Sequence, residues 1–570
     1  MEATEETRLP HAASHAVGVW PRPAVARPSE SFLDRLLPAV ASAFLFVAVL
    51  VVVALNEHPV VTVHPGLLVQ AVRALVPLAA AMVVTWAIYR PWPAYVAVLI
   101  LTPAWGTTQM EFQVGPVQVI LQTIFVAALI AGCVIRSRSV VPTHPMWVEE
   151  PFAPSRSQQT RAFGLAAVRA WTERFEARRF AEVALMGFVG LAILSTMASP
   201  DIARSATVLL HGVLEPLAMG AVLVWMRPSR RDLAIVGAGL GVSVAFGSLL
   251  GIVQALTDYK SLAALQAARL MFARVGYFNV GLYGVIVAMV VPLVVGSLAA
   301  RHTLRLSKPM VGFLLFGLAL TMTGLFFSLS KSAWLATSLG MAILLLLLAR
   351  TGRRRVAMLL AVGGVTAIFI PWPGIILQVA PPANAAYRSA MVALVGQPRL
   401  DSWNPTTFYG RGSMNERYYA VEGGVDMALD HPLLGVGLNE FGSYYSTLGG
   451  YRPAQAKDDL DHAHSLFPEV AAELGLPALV LLAFACAAML LAMWRVYRSA
   501  RDHLTRTLGA TLFAALAAWL IAATAFGCDI YRPVRDLSSD VISAAIIIGM
   551  ALALARLVAR ERDTTRQLPF

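Results

Sequence analysis

The chain has 570 residues, of which 58% are hydrophobic and 14% charged, and its mean hydropathy is +0.66. Soluble globular proteins carry about 25% charged residues, so this composition excludes a soluble enzyme and a disordered chain. Three cysteines are too few and too scattered for a disulfide framework or a metal cluster. The apolar residues gather in runs of about 20, which is the length of a membrane-crossing helix. We therefore predict an all-α, polytopic membrane bundle, because helices satisfy their own backbone hydrogen bonds in lipid.

The hydrophobic runs give the predicted spans in chain order. They begin near Leu36, Leu67, Trp92, Pro116, Ala181, Thr207, Leu233, Phe278, Val311, Ala333, Val356, Leu466, Thr511 and Val541. Fourteen spans place both termini on one side of the membrane, and so do twelve spans with two re-entrant segments.

The positive charge follows this topology. Most of the 45 lysines and arginines lie in the termini and in every second connection between runs. The positive-inside rule therefore predicts that these connections and both termini are cytoplasmic. Anionic lipid headgroups explain the net charge of +12 better than nucleic acid does.

The predicted organisation alternates membrane blocks with polar segments. The N-terminal stretch carries acids and prolines rather than the pattern of a cleavable signal peptide. The predicted parts are a disordered cytoplasmic arm (1–35), spans 1–4 (36–135), a basic interfacial segment on the cytoplasmic face (136–180), spans 5–11 (181–372), a large outward loop (373–465), spans 12–14 (466–557) and a cytoplasmic tail (558–570).

The outward loop is the segment most typical of function. It is far longer than the median loop of about 4–6 residues, and its many aromatic side chains favour packing onto the membrane domain rather than disorder. It also keeps arginines that topology does not require. Guanidinium groups bind phosphate through two parallel hydrogen bonds, so these arginines are candidate phosphate ligands or partners of local acids. They are Arg388, Arg399, Arg411, Arg417 and Arg452.

Two motifs close this loop. The stretch from Met427 to Phe441 reads as a helix end, a proline-led turn and a flexible Gly435-Val436-Gly437. Further on, His462 and His464 lie where the loop enters a predicted span. His-x-His fits poorly on one helix face as a metal site, so a histidine acting as proton acceptor is favoured. A histidine that merely ends a span is the simpler alternative.

Four stretches carry a resemblance to a known family. DHPLLGVGLNEF precedes HAHSLFPEVAAELGLPAL, which enters a span. RVGYFNVGLYGVIVAMVVPL and SLSKSAWLA lie earlier in the chain. Together they resemble the O-antigen ligase and polymerase superfamily of lipid-linked glycan transferases. In the last stretch, Lys331 stands where the family usually has arginine, and lysine lacks the bidentate fork.

The resemblance implies a membrane glycosyltransferase of the GT-C type in a bacterial inner membrane. The donor would be a glycan on undecaprenyl diphosphate, transferred with inversion at the periplasmic face. The acceptor would be a second lipid-linked glycan or lipid A core, in lipopolysaccharide or exopolysaccharide synthesis, and a protein acceptor is a minor third option. We expect no cofactor, no metal and no nucleic acid, and polysaccharide-assembly membrane proteins are candidate partners.

The resemblance also assigns residues. His464 matches the catalytic histidine, because a small polar residue and an apolar pair follow it. His462 is its rival, since only one of the two can point inward from a helical turn. The residues that would support the site are His462, Glu473, Gly435 and Gly437. The candidate diphosphate ligands are Arg417, Arg411, Arg274 and Lys331.

Two other classes of protein stay open. In a transporter or flippase, ionisable residues inside spans would mark a pathway, and Arg73, His211 and Glu215 are candidates. His211 and Glu215 lie four residues apart in the sixth predicted span, so a buried polar pair is the simpler interpretation. A membrane-embedded assembly protein would leave the outward arginines unexplained.

Overall fold

The computed structural model describes the chain in separate stretches. They are residues 65–105, 111–114, 117–139, 177–257, 280–328, 331–349, 412–454, 456, 460–525 and 539–567, with scattered positions between 352 and 363. These residues form helices with one addition that the sequence did not predict, a two-stranded antiparallel hairpin of β1 (Glu111–Val114) and β2 (Val117–Ile120). The predicted all-α membrane class is confirmed.

The helices follow the hydrophobic runs closely. Seven of those in the described stretches are long and apolar enough to cross a bilayer: α4, α5, α6, α9, α14, α15 and α16. The helices are α1 (Pro65–Tyr89), α2 (Pro91–Trp105), α3 (Leu121–Ser139), α4 (Ala177–Ala198), α5 (Ile202–Trp225), α6 (Arg230–Thr257), α7 (Val280–Ala299), α8 (Arg301–Leu304), α9 (Lys308–Ser328), α10 (Lys331–Leu348), α11 (Gly412–Asp430), α12 (Phe441–Ser443), α13 (Leu466–Leu474), α14 (Leu476–Ser499), α15 (His503–Ala525) and α16 (Ser539–Gln567).

One predicted span start was wrong. The run beginning near Leu466 is two helices, because Gly475 ends α13 with φ +85° and the membrane helix α14 begins after it. The proline in the first turn of α14, Pro477, is typical of a helix start. The runs near Leu36 and Val356 fall outside the continuously described stretches, so the total number of spans stays a prediction.

Helix α7 lies at the centre of the bundle. Its residues from Tyr283 to Leu293 are apolar around the whole helix apart from one tyrosine hydroxyl, and nearly all are buried. A helix that is apolar all round is typical of the interior of a membrane bundle. Where two membrane helices cross closely, small residues lie at the contact. A Cβ on Gly549 of α16 would lie 2.6 Å from the carbonyl oxygen of Gly220 on α5.

The basic residues of several connections meet at one end of this bundle, here called the basic end. Arg556 on α16 pairs with Glu182 at the start of α4, with N···O distances of 2.9 and 3.0 Å. Arg230 at the start of α6 pairs with Glu561 at 2.5 Å and with Asp502 at 3.6 Å. These connections all belong to the predicted cytoplasmic set, so the structure groups them as the topology requires.

The opposite end carries the described part of the long loop, and we call it the histidine end. Ser195, near the other end of α4, donates a hydrogen bond to the carbonyl oxygen of Glu473 at 2.7 Å. Ser465 donates to the carbonyl oxygen of Thr524 at the end of α15, at 2.8 Å. The described loop residues are therefore fastened to the ends of membrane helices.

Candidate active site

The loop after α11 forms a cover over the end of α13. Beyond Asp430 the chain turns at Pro432, as the sequence predicted, and then runs along the last turn of α13. Val436 N–H donates to the carbonyl oxygen of Ala472 at 2.8 Å, and Leu476 N–H donates to that of Pro432 at 2.8 Å. Because carbonyls at a helix end lack partners within the helix, this loop both caps α13 and is positioned by it.

The two predicted glycines make this contact possible. Gly435 has φ +66°, and a Cβ there would lie 2.3 Å from the carbonyl carbon of Glu473. Gly437 has φ +109°, and a Cβ there would lie 2.9 Å from the side chain of Ser199. The Gly-x-Gly segment is therefore a tight packing element between the loop, α13 and the end of α4.

The two histidines lie in the loop just before α13. His464 has φ +53°, a left-handed conformation that is uncommon outside glycine. This turn brings the rings together: Nε2 of His462 lies 2.8 Å from Nδ1 of His464. On its other side, Nδ1 of His462 lies 2.5 Å from a carboxylate oxygen of Asp461. Asp461, His462 and His464 thus form a continuous hydrogen-bonded chain, which we call the relay.

The two histidines were expected to be rivals for one inward-pointing position on a helical turn, and this was wrong. They do not lie on a helix, since α13 begins at Leu466, and they are not alternatives for one position. His462 is buried, with 5% of its side chain exposed, whereas His464 is partly exposed and Asp461 is 54% exposed. His462 is therefore enclosed between an accessible carboxylate and an accessible imidazole.

Two carboxyl groups are buried beside this loop. Glu473 Oε1 accepts the backbone N–H of Phe441 at 3.2 Å, and Glu440 Oε1 accepts the hydroxyl of Ser199 at 3.4 Å. Burial raises the pKa of Glu473 to about 7, and the nearby Glu440 adds to the rise, while Arg204 and two backbone N–H groups oppose it. Glu473 thus fastens α13 to the loop, and its supporting role in the site stays a prediction.

We expect Glu473→Gln to change how stability depends on pH. A carboxyl pKa raised from 4.5 to about 7 by folding means that the folded chain holds a proton which the unfolded chain loses earlier. Its contribution to stability is full below about pH 4.5 and is lost as the pH rises to about 7. Glutamine mimics the protonated acid and does not titrate. The variant should therefore lose less stability than the wild type as the pH rises from about 4.5 to 7. Melting temperatures between pH 4 and 8 measure it, and identical pH slopes in both proteins would contradict the raised pKa.

The structure describes two of the four predicted phosphate ligands. Arg417 lies on α11 at the histidine end and is partly buried. Lys331 is the first residue of α10. Arg274 and Arg411 lie outside the described residues. Sequence reasoning missed Arg204, whose guanidinium at the start of α5 lies 3.4 Å from the hydroxyl of Ser443.

An open cavity of about 470 Å³ borders α11 at this end. Carboxylates line most of its charged wall, and Tyr451 donates to Asp430 at 2.9 Å. Such a lining does not suit a diphosphate, so this cavity is not the predicted phosphate site. Its polar lining residues include Glu422, Asp426, Asp430, Tyr451 and Arg452.

The intramembrane pair predicted in the sixth span is present. Nδ1 of His211 lies 3.2 Å from Oε1 of Glu215, and both side chains are 4% exposed. His211 lies in a π-helical turn, Leu209–Leu214, within α5. The hydroxyl of Thr123 on α3 lies 3.4 Å from the same histidine nitrogen. The pair is a buried polar contact within α5, and Thr123 connects it to α3.

No cluster of three or more His, Cys, Asp or Glu side chains in the described stretches has the geometry of a metal site. The expectation that no metal takes part remains a prediction.

Comparison with known families supports the resemblance. Residues 316–483 match the family model described as O-antigen ligase. The match begins within α9, includes the loop with both histidines and ends in α14, and it covers less than half of the chain. A comparison with curated proteins gave no match. The family match supports a multi-pass membrane glycosyltransferase of the O-antigen ligase or polymerase type.

Proposed function

We propose that this chain transfers a glycan from undecaprenyl diphosphate onto a sugar hydroxyl at the periplasmic face of a bacterial inner membrane. It would act as an O-antigen ligase or as a polymerase of O-antigen or exopolysaccharide, with a GT-C type architecture. Both termini and the basic end would face the cytoplasm, and the histidine end the periplasm. The acceptor would be a lipid-linked glycan or lipid A core.

The observation that carries this proposal is the position of His464. It is a partly exposed imidazole where the loop meets the membrane helices, and it is hydrogen-bonded through Nδ1 to a second histidine. A sugar hydroxyl is a weak nucleophile, and a base within hydrogen-bond reach accelerates its attack. The family match includes this loop, which supports a role in glycan transfer.

The proposed reaction needs no cofactor. The acceptor hydroxyl gives its proton to His464 while its oxygen forms a bond to the anomeric carbon of the donor. The bond from that carbon to the diphosphate oxygen breaks, and undecaprenyl diphosphate leaves with the electron pair. Attack opposite the leaving group inverts the anomeric configuration. Charge grows on the leaving diphosphate, where fixed positive groups stabilise the transition state.

Arginine is suited to this charge, and Arg417 is the described candidate. We expect Arg417→Ala to weaken donor binding by at least tenfold and Arg417→Lys to restore it only in part, because lysine lacks the planar pair of donors. Binding of purified lipid-linked donor to the protein in nanodiscs measures this. Arg452→Ala is the matched control, since it removes an exposed arginine from the same loop at the acid-lined cavity. Unchanged donor affinity in both Arg417 variants would remove this residue from the site.

The transporter alternative has one observation in its favour, the buried His211–Glu215 pair within a membrane helix. Ionisable groups at such positions often mark pathways. The pair lies within α5, whereas the relay lies in the loop before α13. A transport pathway through the pair would therefore leave the relay unexplained.

A further inference from the structure

We infer that Asp461 and His462 act as positioning residues that fix the tautomer of His464 and make its Nε2 the proton-accepting atom. This inference rests on the proposed function, in which His464 is the base. The sequence assigns no role to Asp461, and it predicts His462 only as a rival of His464 or as a supporting residue without a defined function.

The directions of the hydrogen bonds follow from Asp461. An ionised carboxylate can only accept a hydrogen bond, so the proton in the contact with Asp461 belongs to Nδ1 of His462. A neutral imidazole carries one N–H, so Nε2 of His462 is then an acceptor. The contact of 2.8 Å with His464 therefore takes its proton from Nδ1 of His464. In neutral His464, the lone pair that can take a proton is left on Nε2.

The relay also accommodates the charge that transfer creates. When Nε2 of His464 takes the acceptor proton, the ring becomes an imidazolium while its Nδ1–H still points at His462. That proton can move to Nε2 of His462, which places the positive charge beside the Asp461 carboxylate. No atom is gained or lost in this shift, and the reverse shift followed by release of the Nε2 proton to water restores the neutral base.

The backbone holds the relay in this geometry. His464 keeps its left-handed φ of +53° because the next residue, Ser465, is fastened to the end of α15. On the other side, Gly442 packs so closely that a Cβ there would lie 2.9 Å from the Cα of Asp461. The loop is therefore fixed at both ends of the relay, as a positioning role requires.

Other charged groups at this end must be separated from the relay in any pH experiment. They lie on the elements packed around the loop, and Glu473 matters most because its pKa is raised to about 7 by burial. The groups are Glu469 and Glu473 on α13, Arg417, Glu422, Asp426 and Asp430 on α11, His431 and Glu440 in the covering loop, and Arg204 on α5.

The test is the pH dependence of glycan transfer by the full-length protein in nanodiscs, with purified lipid-linked donor. Asp461→Asn keeps an oxygen for the hydrogen bond but removes the charge. We expect kcat to fall about 10- to 100-fold, the usual worth of a charge-assisted hydrogen bond, with KM for the donor unchanged. The acidic limb of the kcat profile should move to lower pH, because the imidazolium loses a stabilising negative charge. Asp461→Glu should restore part of the lost kcat and move the acidic limb part of the way back.

A second, independent test compares glycan transfer by two variants, His462→Gln and His462→Phe. A glutamine oxygen can still accept from His464, so the Gln variant should keep more activity than the Phe variant. Glu473→Gln identifies any contribution of that acid to the profile, and Asp426→Asn removes a carboxylate from α11 rather than from the relay. Melting temperatures verify that each variant is folded.

The outcomes separate the inference from the proposed function. Loss of transfer in His464→Ala, together with wild-type kcat and an unmoved acidic limb in Asp461→Asn and in His462→Phe, would overturn the inference alone. A fall in kcat without movement of the acidic limb, and without rescue by Asp461→Glu, would show a merely structural role and overturn it as well. Full activity in His464→Ala would instead overturn the proposed function.

Discussion

Replacing His464 by alanine should reduce glycan transfer by about 10²–10⁴-fold, the range that general base catalysis contributes, while donor binding persists. The imidazole is expected to act on the acceptor hydroxyl rather than on the donor diphosphate, so the loss should appear in kcat. His462→Ala should have a smaller effect, because it leaves the accepting nitrogen of His464 in place. Transfer should also survive EDTA, since no metal is part of the proposed reaction.

The matched control is His431→Ala. His431 belongs to the same covering region, but its ring packs edge-on against Tyr444, with the ring centroids 5.7 Å apart. Single-turnover transfer from purified donor should separate the three histidine variants. Full activity in His464→Ala, or activity that EDTA removes and a divalent metal restores, would contradict the role of His464 as a metal-independent base.

Replacing Gly435 by alanine should destabilise the histidine end by roughly 3 kcal/mol or more, because it combines backbone strain with a clash. The φ of +66° alone costs an alanine about 1 kcal/mol. The added Cβ would also lie 2.3 Å from the carbonyl carbon of Glu473, and backbone cannot move aside as a side chain can. The loop would separate from α13, and transfer would fall with it.

Gly450 offers a matched control for this prediction. It has the same φ of +66°, but a Cβ there would meet no atom within 4 Å among the described residues. Gly450→Ala should therefore show the strain without the clash. Melting temperatures and the hydrogen exchange of α13 amides compare the two. Equal losses of stability would mean that the contact between Gly435 and α13 does not matter.

The membrane helices could be predicted from the sequence because apolar runs and basic connections leave few alternatives. Every predicted run that falls in a continuously described stretch contains a helix. The division of the run at Leu466 was missed, although Gly475 followed by Pro477 is a recognisable signal for a helix end and a new start. The hairpin of β1 and β2 gave no comparable signal, since each strand has only four residues.

Only some residues of the candidate site could be proposed from the sequence. The histidines and the glycines stand out in the sequence because their types and spacing are unusual beside a span. The relay could not be predicted, since it depends on the left-handed φ of His464, and a helical interpretation places the two rings on different faces. The contacts of Ser195 with Glu473 and of Ser199 with Glu440 join residues more than 200 positions apart, which no local pattern indicates.

The central claim is that the chain breaks the bond between a glycan and its lipid diphosphate and passes the glycan to an acceptor. The direct measurement uses proteoliposomes that contain the purified protein, a labelled undecaprenyl-diphosphate-linked glycan and a lipid-linked glycan or lipid A core acceptor. We expect glycan-extended acceptor and free undecaprenyl diphosphate to appear in equal amounts with the wild-type chain, and neither with His464→Ala. Movement of the intact donor across the bilayer, with its diphosphate bond unbroken and no extended acceptor, would contradict the account and identify a transporter.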